Sequence, residues 1–392
     1  MSSSEWQEGF NFEVLAEDPN SCARLGKLTT PHGVIYTPAF MPVGTYGAVK
    51  GISPDELEEA GAQIILANAL HLEFRPGSQI VARLGGLHRL MGWEKPILTD
   101  SGGFQTFSLS QLIKSNEEGI EVRSPVDGSK HVMTPEKVVD IQRKLGTDFL
   151  MPLDVCAPGD ASRKEAKAAL ETTLLWASRS KQAFQETEPI HGLAQSLFGI
   201  VQGGVFDDLR HQAVESLLAL GFFGYSIGGL AVGESRDDTW RIVQLCNELL
   251  PRDRIRYLMG AGTPEDLDTA VSLGMDLFDC VLPTRNGRKG SVFVRDGKLN
   301  LRNAAFKDDP RPIEEGCPCY ACRPRQNGEP RFSRGAIRHL ITSGETLGAR
   351  LGALHNLTFY LKRLEALRSR LEREGGTATG TSKISPKFDV SN

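Results

Sequence analysis

The 392-residue chain lacks the features of membrane-spanning, secreted and strongly basic proteins. It has no run of about 18 apolar residues, so it predicts no transmembrane helix. Its first residues, MSSSEWQEGF, contain neither a basic region nor an apolar stretch, so we expect no signal peptide. The formal net charge is only −4, whereas a dedicated nucleic-acid-binding domain is usually basic. We therefore expect a cytoplasmic globular protein whose average charge argues against a nucleic-acid partner.

Cysteine is scarce, and its seven residues are unevenly placed. Four are scattered, whereas Cys317, Cys319 and Cys322 lie within six residues of one another. This arrangement is unlike a disulfide scaffold and is typical of a reduced protein with a local metal site. Three thiolates and one imidazole would make a closed, structural Zn²⁺ site, and both His339 and His355 lie downstream as candidate fourth ligands. The alternative is a group of buried, reduced cysteines.

Short apolar runs alternate with helical patterns along most of the chain. This alternation is typical of parallel strands joined by helices, and eight such units in about 250 residues favour a (β/α)8 barrel, also called a TIM barrel. An open, doubly wound sheet is the alternative, but the chain has no Gly-rich dinucleotide turn and no P-loop motif. The apolar runs are 39–43, 63–67, 96–99, 148–153, 197–201, 224–227, 256–259 and 276–280, and the helical patterns are 135–145, 163–187, 207–220, 237–250 and 264–273.

The composition changes after the predicted barrel. Residues 285–334 carry twelve Lys and Arg against six Asp and Glu, so this segment has a charge of about +6 and the rest of the chain about −10. A helical stretch follows at 333–374, and the Gly/Thr/Ser-rich end predicts a disordered tail. We predict four parts: an N-terminal segment packing on the barrel (1–38), the catalytic barrel (39–300), a zinc-binding subdomain with closing helices (301–374) and the tail (375–392).

Polar residues stand at the ends of several apolar runs. Asp100, Asp154 and Gln202 each follow a run, and Asp279 lies near the end of the last one. The carboxyl ends of all barrel strands meet at one face, which carries the active site, so we expect these side chains to converge. Each acid alone is more often a turn or cap residue. A group of carboxylates at one mouth is costly to bury and indicates a functional site.

Longer motifs make the chain resemble a known family, the tRNA-guanine transglycosylases, and specifically their bacterial branch. The matches occur in family order from about residue 41 to residue 360. They are Asp100-Ser-Gly-Gly-Phe104-Gln105, Gln202-Gly-Gly204, Gly228-Gly-Leu-Ala-Val-Gly-Glu234, Phe278-Asp-Cys-Val-Leu-Pro-Thr-Arg285 and the CxCx2C pattern with His355-Asn356. The last match selects His355 over His339.

The resemblance implies the fold, the reaction and the assembly. It implies a (β/α)8 barrel with a zinc-binding insertion near the C-terminus, one structural Zn²⁺ per subunit and a homodimer. The implied activity is that of a pentosyltransferase in queuosine biosynthesis. It exchanges guanine at wobble position 34 of GUN-anticodon tRNAs for the 7-deazaguanine base preQ1, 7-aminomethyl-7-deazaguanine. The target base in an anticodon loop is already unpaired, which lowers the cost of taking it into a pocket.

The resemblance also assigns roles to residues. Asp279 matches the nucleophile, which would form a covalent ribosyl ester with the RNA, and Asp100 matches the proton acceptor. Asp154 would accept hydrogen bonds from the base edge, Gln202 and the Gly229 backbone would bind its carbonyl oxygen, and the Leu230 carbonyl would read the aminomethyl group. The substrate-binding set is Asp100, Ser101, Gly102, Gly103, Phe104, Asp154, Cys156, Gln202, Gly229, Leu230 and Met259, in which Phe104 and Met259 would stack on the ring.

Two loops are the expected RNA-binding elements because the loops after strands seven and eight form the usual anion site of this fold. Their basic residues would neutralise phosphates. The residues are Gly260, Ala261, Gly262, Thr263, Pro264, Glu265 and Asp266 in the first loop, and Thr284, Arg285, Asn286, Gly287, Arg288 and Lys289 in the second. The metal ligands implied by the resemblance are Cys317, Cys319, Cys322 and His355.

The chain departs from the bacterial pattern near the pocket and in the metal region. Val155-Cys-Ala-Pro158 replaces the usual Glu-Cys-Thr-Pro, Ala67-Asn-Ala-Leu-His71 replaces Gly-Asn-Thr-Tyr-His, and 323–331 resembles an inserted loop. Cys156 and Val232 still match a preQ1-type pocket. The alternatives are a transglycosylase with queuine preference, a non-catalytic tRNA-binding partner subunit, an archaeal-type enzyme acting in the tRNA D-loop and a metal-dependent barrel hydrolase. The retained Asp100, Asp154 and Asp279 argue against a non-catalytic subunit.

Overall fold

A computed structural model describes residues 8–102 and 114–377. No helix in these two segments is both long enough and apolar enough to cross a membrane. In chain order the strands are β1 (Asn11–Glu17), β2 (Arg24–Thr30), β3 (Gly33–Thr37), β4 (Ala39–Met41), β5 (Ile65–Asn68), β6 (Ile97–Asp100), β7 (Lys114–Ser115), β8 (Ile120–Arg123), β9 (Lys130–Met133), β10 (Phe149–Leu150), β11 (Ser196–Val201), β12 (Gly224–Ile227), β13 (Ile255–Leu258), β14 (Leu277–Asp279), β15 (Ser291–Val294), β16 (Gly297–Asn300) and β17 (Gly376–Thr377). The helices are α1 (Pro54–Ala60), α2 (Ala69–Phe74), α3 (Ser78–Arg83), α4 (Leu87–Met91), α5 (Pro135–Leu145), α6 (Arg163–Glu186), α7 (Asp207–Leu220), α8 (Arg236–Leu249), α9 (Pro264–Ser272), α10 (Leu282–Arg288), α11 (Arg334–Thr342) and α12 (Thr346–Glu374), with a short 3₁₀ helix at Ala304–Phe306.

Eight parallel strands form the central barrel, in the order β4-β14-β13-β12-β11-β10-β6-β5. A parallel bridge between Val43 and Leu66 brings the first and last strands together, which nearly closes the sheet. Strands β5, β12 and β13 are buried along their whole length, as expected for parallel strands covered on both faces. The predicted (β/α)8 barrel is confirmed, and each of the eight apolar runs overlaps one of its strands.

The helices between the strands begin and end where the sequence supplies caps. Ser162 with Glu165, and Thr263 with Asp266, form capping boxes at the starts of α6 and α9. Gly146 adopts a left-handed conformation directly after α5, which ends that helix. The predicted bounds of the five helical patterns are therefore confirmed to within one residue at each end.

The predicted continuous helical stretch 333–374 is wrong in one respect, because α11 and α12 are separate helices. Gly344 has a φ of +76° in the turn between them, a conformation that favours glycine. The turn lets α12 pack closely against α11, and a Cβ at Gly348 would lie 2.7 Å from the Ile341 nitrogen. The chain therefore folds back on itself instead of extending as one helix.

The N-terminal antiparallel sheet β1–β3 covers one end of the barrel. Leu28 and Ile35 of this sheet share a buried core with the barrel residues Phe149 and Phe198. The strands of the barrel begin at this end, so the opposite end, where they finish, is the mouth. β17 pairs with β1 inside the segment predicted to be a disordered tail; residues 378–392 of that segment lie outside the described residues.

A separate apolar core surrounds the three clustered cysteines. It contains Cys317, Cys319, Cys322 and residues of α11, and it also includes Val292 from the β15–β16 hairpin. This hairpin ends at Asn300, within the segment predicted to be the catalytic barrel (39–300). The four-part division of the chain stays a prediction.

Candidate active site and metal centre

The ends of the barrel strands bring the expected polar side chains to one mouth. Asp100 is the last residue of β6 and Asp279 is the last residue of β14. Asp154 follows β10, and Gln202 directly follows β11. This convergence results from the parallel topology, since all eight strands finish at the same end of the barrel.

Asp100 lies in an environment that favours its protonated form. Burial and the nearby negative charge of Asp279 together raise the pKa of its carboxyl to about 7. Asn68 opposes this effect because its side-chain amide donates to Asp100 Oδ2 at 2.8 Å. The other oxygen, Oδ1, is buried and has no hydrogen-bond partner among the described residues. A carboxyl group with a pKa near neutrality can both take up and release a proton at physiological pH.

Asp279 is held by one of its two carboxylate oxygens. The Tyr257 hydroxyl donates to Asp279 Oδ1 at 2.6 Å, and the Gly260 backbone N–H donates to the same oxygen at 2.9 Å. Burial raises the pKa of the Asp279 carboxyl, whereas these two hydrogen bonds lower it. The tethered oxygen fixes the orientation of the carboxylate, and Oδ2 accepts no hydrogen bond from the described residues.

The Tyr257 hydroxyl remains a donor because burial, together with the charge of Asp279, raises its pKa well above the usual range. Sequence reasoning did not identify Tyr257. The available signal was a single hydroxyl in the strand Ile255–Leu258, two residues before Met259.

Asp154 and Gln202 form a second polar group in the mouth. The Gln202 amide donates to Asp154 Oδ2 at 2.7 Å, and burial raises the pKa of Asp154 to about 6. Gly229 lies against Gln202 with a φ of +67°, and a Cβ there would lie 2.3 Å from Gln202 Oε1. Glycine is therefore required for this close approach. Burial also raises the pKa of the nearby Cys156 thiol to about 12, which keeps it uncharged.

A fully buried arginine, Arg210, supports this pocket from behind. Its guanidinium donates to the carbonyls of Val201 at 2.6 Å, Gly204 at 2.9 Å and Gly228 at 2.9 Å. It therefore joins the loop after β11 to the loop after β12, which carry Gln202 and Gly229. Sequence reasoning missed Arg210 because an arginine in an amphipathic helix reads as a surface residue.

The remaining base-binding candidates lie on both sides of these groups. Ser101 and Gly102 are buried directly after Asp100, and a Cβ at Gly102 would lie 2.6 Å from the Leu70 Cβ. Leu230 and Met259 line a cavity of about 160 Å³ beside the mouth. Gly103 and Phe104 lie outside the described residues.

The first expected RNA-binding loop is part of the architecture of the mouth. Thr263, Pro264 and Asp266 build the start of α9, and Gly260 bonds to Asp279. Ala261 is buried and Glu265 is exposed.

The second expected RNA-binding loop forms α10 and its end. Arg285 and Lys289 are exposed and Arg288 is half-buried. Burial lowers the pKa of the Arg288 guanidinium, and the positive charge of Arg285 also lowers it. None of these three cations forms an ion pair with a described acid, so all three can bind phosphate. Thr284 and Gly287 are buried, and they face the protein interior.

The cysteine cluster includes His355 and not His339. The Nδ1 atom of His355 lies 3.6, 3.6 and 3.5 Å from the sulfur atoms of Cys317, Cys319 and Cys322, and all four residues are buried. Tetrahedral coordination with Zn–S near 2.3 Å and Zn–N near 2.05 Å places sulfur and nitrogen about 3.6 Å apart. The donor set and its spacing therefore fit a metal ion. His339 is exposed.

The segment 323–331 does not displace the histidine because it folds back on itself. Pro324 and Pro330 form an antiparallel bridge, and the Arg331 N–H donates to the Arg323 carbonyl at 3.0 Å. The longer spacing between Cys322 and His355 is thereby taken up in a closed loop.

Comparison with known proteins agrees with this geometry. A family model described as "Queuine tRNA-ribosyltransferase" matches residues 18–379. A protein of that name from Thermoanaerobacter sp. (strain X514) is 50% identical over 363 residues, which cover 93% of this chain and 94% of the relative. Proteins of the same name from Symbiobacterium thermophilum (50% identical, 92% of this chain and 87% of the relative) and Solidesulfovibrio magneticus (51%, 90% and 91%) are similarly related.

Proposed function

Because the chain belongs to the queuine tRNA-ribosyltransferase family, we propose how its own residues perform the reaction of a tRNA-guanine transglycosylase in queuosine biosynthesis. The enzyme is a pentosyltransferase and its substrate is tRNA. In our proposal it exchanges guanine at wobble position 34 of GUN-anticodon tRNAs for preQ1 by two successive displacements. The observation that carries the proposal is the pair of carboxylates, Asp100 and Asp279, which share one mouth and lie close enough for the charge of Asp279 to help raise the pKa of Asp100.

Asp279 is the nucleophile in this proposal. Its free oxygen attacks C1′ of the target ribose, the C1′–N9 bond breaks, and a ribosyl ester joins the RNA to the protein. The Tyr257 and Gly260 hydrogen bonds on Oδ1 support this role because they orient Oδ2 without using it. Two displacements at the same carbon return the original sugar configuration.

Asp100 handles the proton. Guanine leaves as an anion that must gain a proton, and the incoming base must lose the proton on the nitrogen that attacks C1′. A carboxyl group with a pKa of about 7 suits both transfers. When the incoming base attacks, the C1′–O bond to Asp279 breaks and the carboxylate is regenerated.

Asp154, Gln202, Gly229 and Leu230 hold the base. A carboxylate accepts from the N1–H and 2-amino group, and an amide and a backbone N–H donate to the carbonyl oxygen. Ser101, Gly102, Gly103, Phe104, Cys156 and Met259 complete the proposed pocket.

Close packing around Cys156 supports the smaller base, preQ1, over queuine. The Gly159 N–H donates to the Val232 carbonyl at 3.3 Å, and a Cβ at Gly159 would lie 2.3 Å from the Glu234 nitrogen. The two loops that flank this side of the pocket therefore lie in direct contact, which leaves little room for a larger substituent on the base.

The RNA-binding surface consists of the loops 260–266 and 284–289. Arg285, Arg288 and Lys289 bind phosphates of the anticodon loop, and affinity therefore falls as salt rises. The Cys3His cluster holds one structural Zn²⁺ per subunit, since four protein ligands leave no open position for chemistry. The assembly is a homodimer in the cytoplasm.

Trapping of the covalent RNA tests the proposal directly. Wild-type protein is incubated with a GUN-anticodon tRNA and labelled guanine, preQ1 or queuine, and then resolved on a denaturing gel. We expect exchange at position 34 with guanine and preQ1 and a protein–RNA adduct. Asp279→Asn, which keeps the shape of the side chain, should form no adduct. An adduct of wild-type intensity in this variant would contradict the nucleophile assignment, and a wild-type protein that binds tRNA without exchanging bases would indicate a non-catalytic subunit.

A further inference from the structure

Helix α12 connects the metal centre to the active site. His355 lies in this helix, and its Nε2–H donates to the Phe293 carbonyl at 2.7 Å while its Nδ1 faces the three cysteines. The next residue, Asn356, accepts a hydrogen bond from the Phe293 N–H at 2.9 Å. These two adjacent side chains hold both polar groups of one residue in β15, so the metal ligand and β15 fix each other's position.

Asn356 also links the start of α10 to the start of β15. Its side-chain amide donates to the carbonyl of Pro283, in the first turn of α10, and to the carbonyl of Ser291, the first residue of β15, each at 3.0 Å. Asn356 is fully buried, and these contacts use both of its N–H donors and its carbonyl oxygen. Helix α10 directly follows Asp279 in the chain and carries Arg285 and Arg288.

The two helices touch at their backbones. A Cβ at Gly287 in α10 would lie 2.3 Å from the Gly352 carbonyl oxygen, and a Cβ at Gly352 in α12 would lie 2.3 Å from the Gly287 carbonyl oxygen. No side chain separates the helices here, so a shift of α12 must be transmitted to α10.

One turn after Asn356, the same helix reaches the other neighbour of Asp279. The Tyr360 hydroxyl donates to the Gly262 carbonyl at 2.6 Å. Gly262 belongs to the loop in which the Gly260 N–H donates to Asp279 Oδ1. Helix α12 therefore contacts both elements that flank the carboxylate, the Gly260–Gly262 loop and α10.

We propose that Asn356 and Tyr360 are positioning residues for the reaction. Through these two side chains, α12, which His355 anchors at the metal centre, holds Asp279 and α10 in fixed positions relative to each other. The inference rests on the proposed role of Asp279 as nucleophile. Tyr360 acts on the Asp279 carboxylate through the Gly260–Gly262 loop, and Asn356 acts on RNA binding through α10. Neither side chain contacts the reacting atoms.

Tyr360→Phe is the decisive variant because it removes one hydroxyl and keeps the buried ring. Thr358→Val is the matched control because it removes a buried hydroxyl from the same helix. Among the described residues that hydroxyl bonds only to the Leu354 carbonyl, within α12 itself. The single-turnover rate of adduct formation and the dissociation constant for tRNA are measured at a temperature at which all proteins are folded. Loss of one buried hydrogen bond that orients the nucleophile predicts a rate about five- to tenfold lower for Tyr360→Phe. We expect its tRNA affinity to change by less than about twofold, and Thr358→Val to match wild type in both measurements.

A Tyr360→Phe rate within twofold of wild type, or an equal loss in Thr358→Val, would overturn the inference. If wild-type protein forms no adduct at all, the proposed nucleophile fails instead, so the two failures can be told apart. Amide hydrogen exchange gives a readout independent of activity. After chelation of the metal, exchange should quicken at 260–262 and 282–291 and stay unchanged in the barrel strands β11 and β12. Unchanged protection at 260–262 and 282–291 in metal-free protein would also refute the link to the metal centre.

Discussion

Arg210 offers a sharp test of how the base pocket is held together, because its guanidinium is buried without an acidic partner. Its five N–H groups include donors to the carbonyls of Val201, Gly204 and Gly228, and none of the described acids forms an ion pair with it. Burial lowers the pKa of the guanidinium. We consider Arg210→Met, which keeps the length and volume of the side chain and removes every hydrogen bond.

The expected cost has opposing parts. Hydrogen bonds to a charged group each contribute about 1.5–3 kcal/mol, so three such bonds correspond to about 4.5–9 kcal/mol. Removing a buried charge recovers several kcal/mol of desolvation. The Val201 carbonyl keeps one partner, since the Gly228 N–H donates to it at 3.1 Å. We therefore expect the free energy of unfolding to fall by about 2–4 kcal/mol.

The functional effect should be specific to base recognition. The loops that carry Gln202 and Gly229 lose their common anchor, and a misplacement costing about 1.4 kcal/mol in the base complex raises KM for guanine about tenfold. The assay is guanine exchange into GUN-anticodon tRNA, with KM and kcat determined separately, and urea unfolding of the same samples. Arg256→Met is the matched control, because Arg256 is also buried but bonds to Asn247, Leu250 and Gly274 away from Gln202 and Gly229. We expect it to lower stability and leave KM for guanine unchanged. An unchanged KM in folded Arg210→Met, or an equal rise in Arg256→Met, would refute the reasoning.

Three further predictions follow from Asp100 and the metal ligands. Asp100 should act as a base only when ionised, so the rate of base exchange should rise with pH through about 7. Asn68→Ala removes the hydrogen bond that lowers this pKa, and it should therefore move the rise to higher pH. An unmoved pH profile would exclude Asp100 as the titrating group. The same raised pKa means that the native state binds a proton more tightly than the unfolded chain, whose Asp titrates near 3.8. The contribution of Asp100 to stability is therefore present below about pH 4 and lost as pH rises to about 7, and urea unfolding should show that Asp100→Asn stabilises the protein more at pH 8 than at pH 4. Cys319→Ser should lower both the amount of bound zinc and the melting temperature. Cys22→Ser, which lies outside the cluster, should change neither. A Cys319→Ser protein with the melting temperature of wild type would argue against a structural metal site.

Much of the site could be predicted from the sequence because barrel topology converts chain position into spatial position. Asp100, Asp154, Gln202 and Asp279 each stand where an apolar run ends, and parallel strands place all such ends at one mouth. The metal site was also accessible, since three of its ligands lie within one loop. The choice between His339 and His355 needed the family resemblance, because both residues lie in helices.

The partners of these residues could not be predicted in the same way. Tyr257, Asn68 and Arg210 are distant in sequence from at least some of the groups that they bind, and no periodicity encodes such pairs. The break between α11 and α12 was missed because apolar residues recur at helical spacing on both sides of Gly344. A single glycine in such a pattern does not reveal that the chain reverses there.

The sequence by itself determined the local elements, the barrel class, the strand-end carboxylates and the cysteine ligands, because hydrophobic periodicity, caps and short spacings are properties of neighbouring residues. Only the tertiary structure decided what those groups can do. Burial beside Asp279 gives Asp100 a pKa of about 7, one oxygen of Asp279 is tethered by Tyr257 and Gly260, and α12 joins the metal centre to the mouth by the contact of Gly352 with Gly287. The physical reason is that desolvation, charge proximity and backbone contact depend on distances between residues far apart in the chain, and those distances exist only after packing.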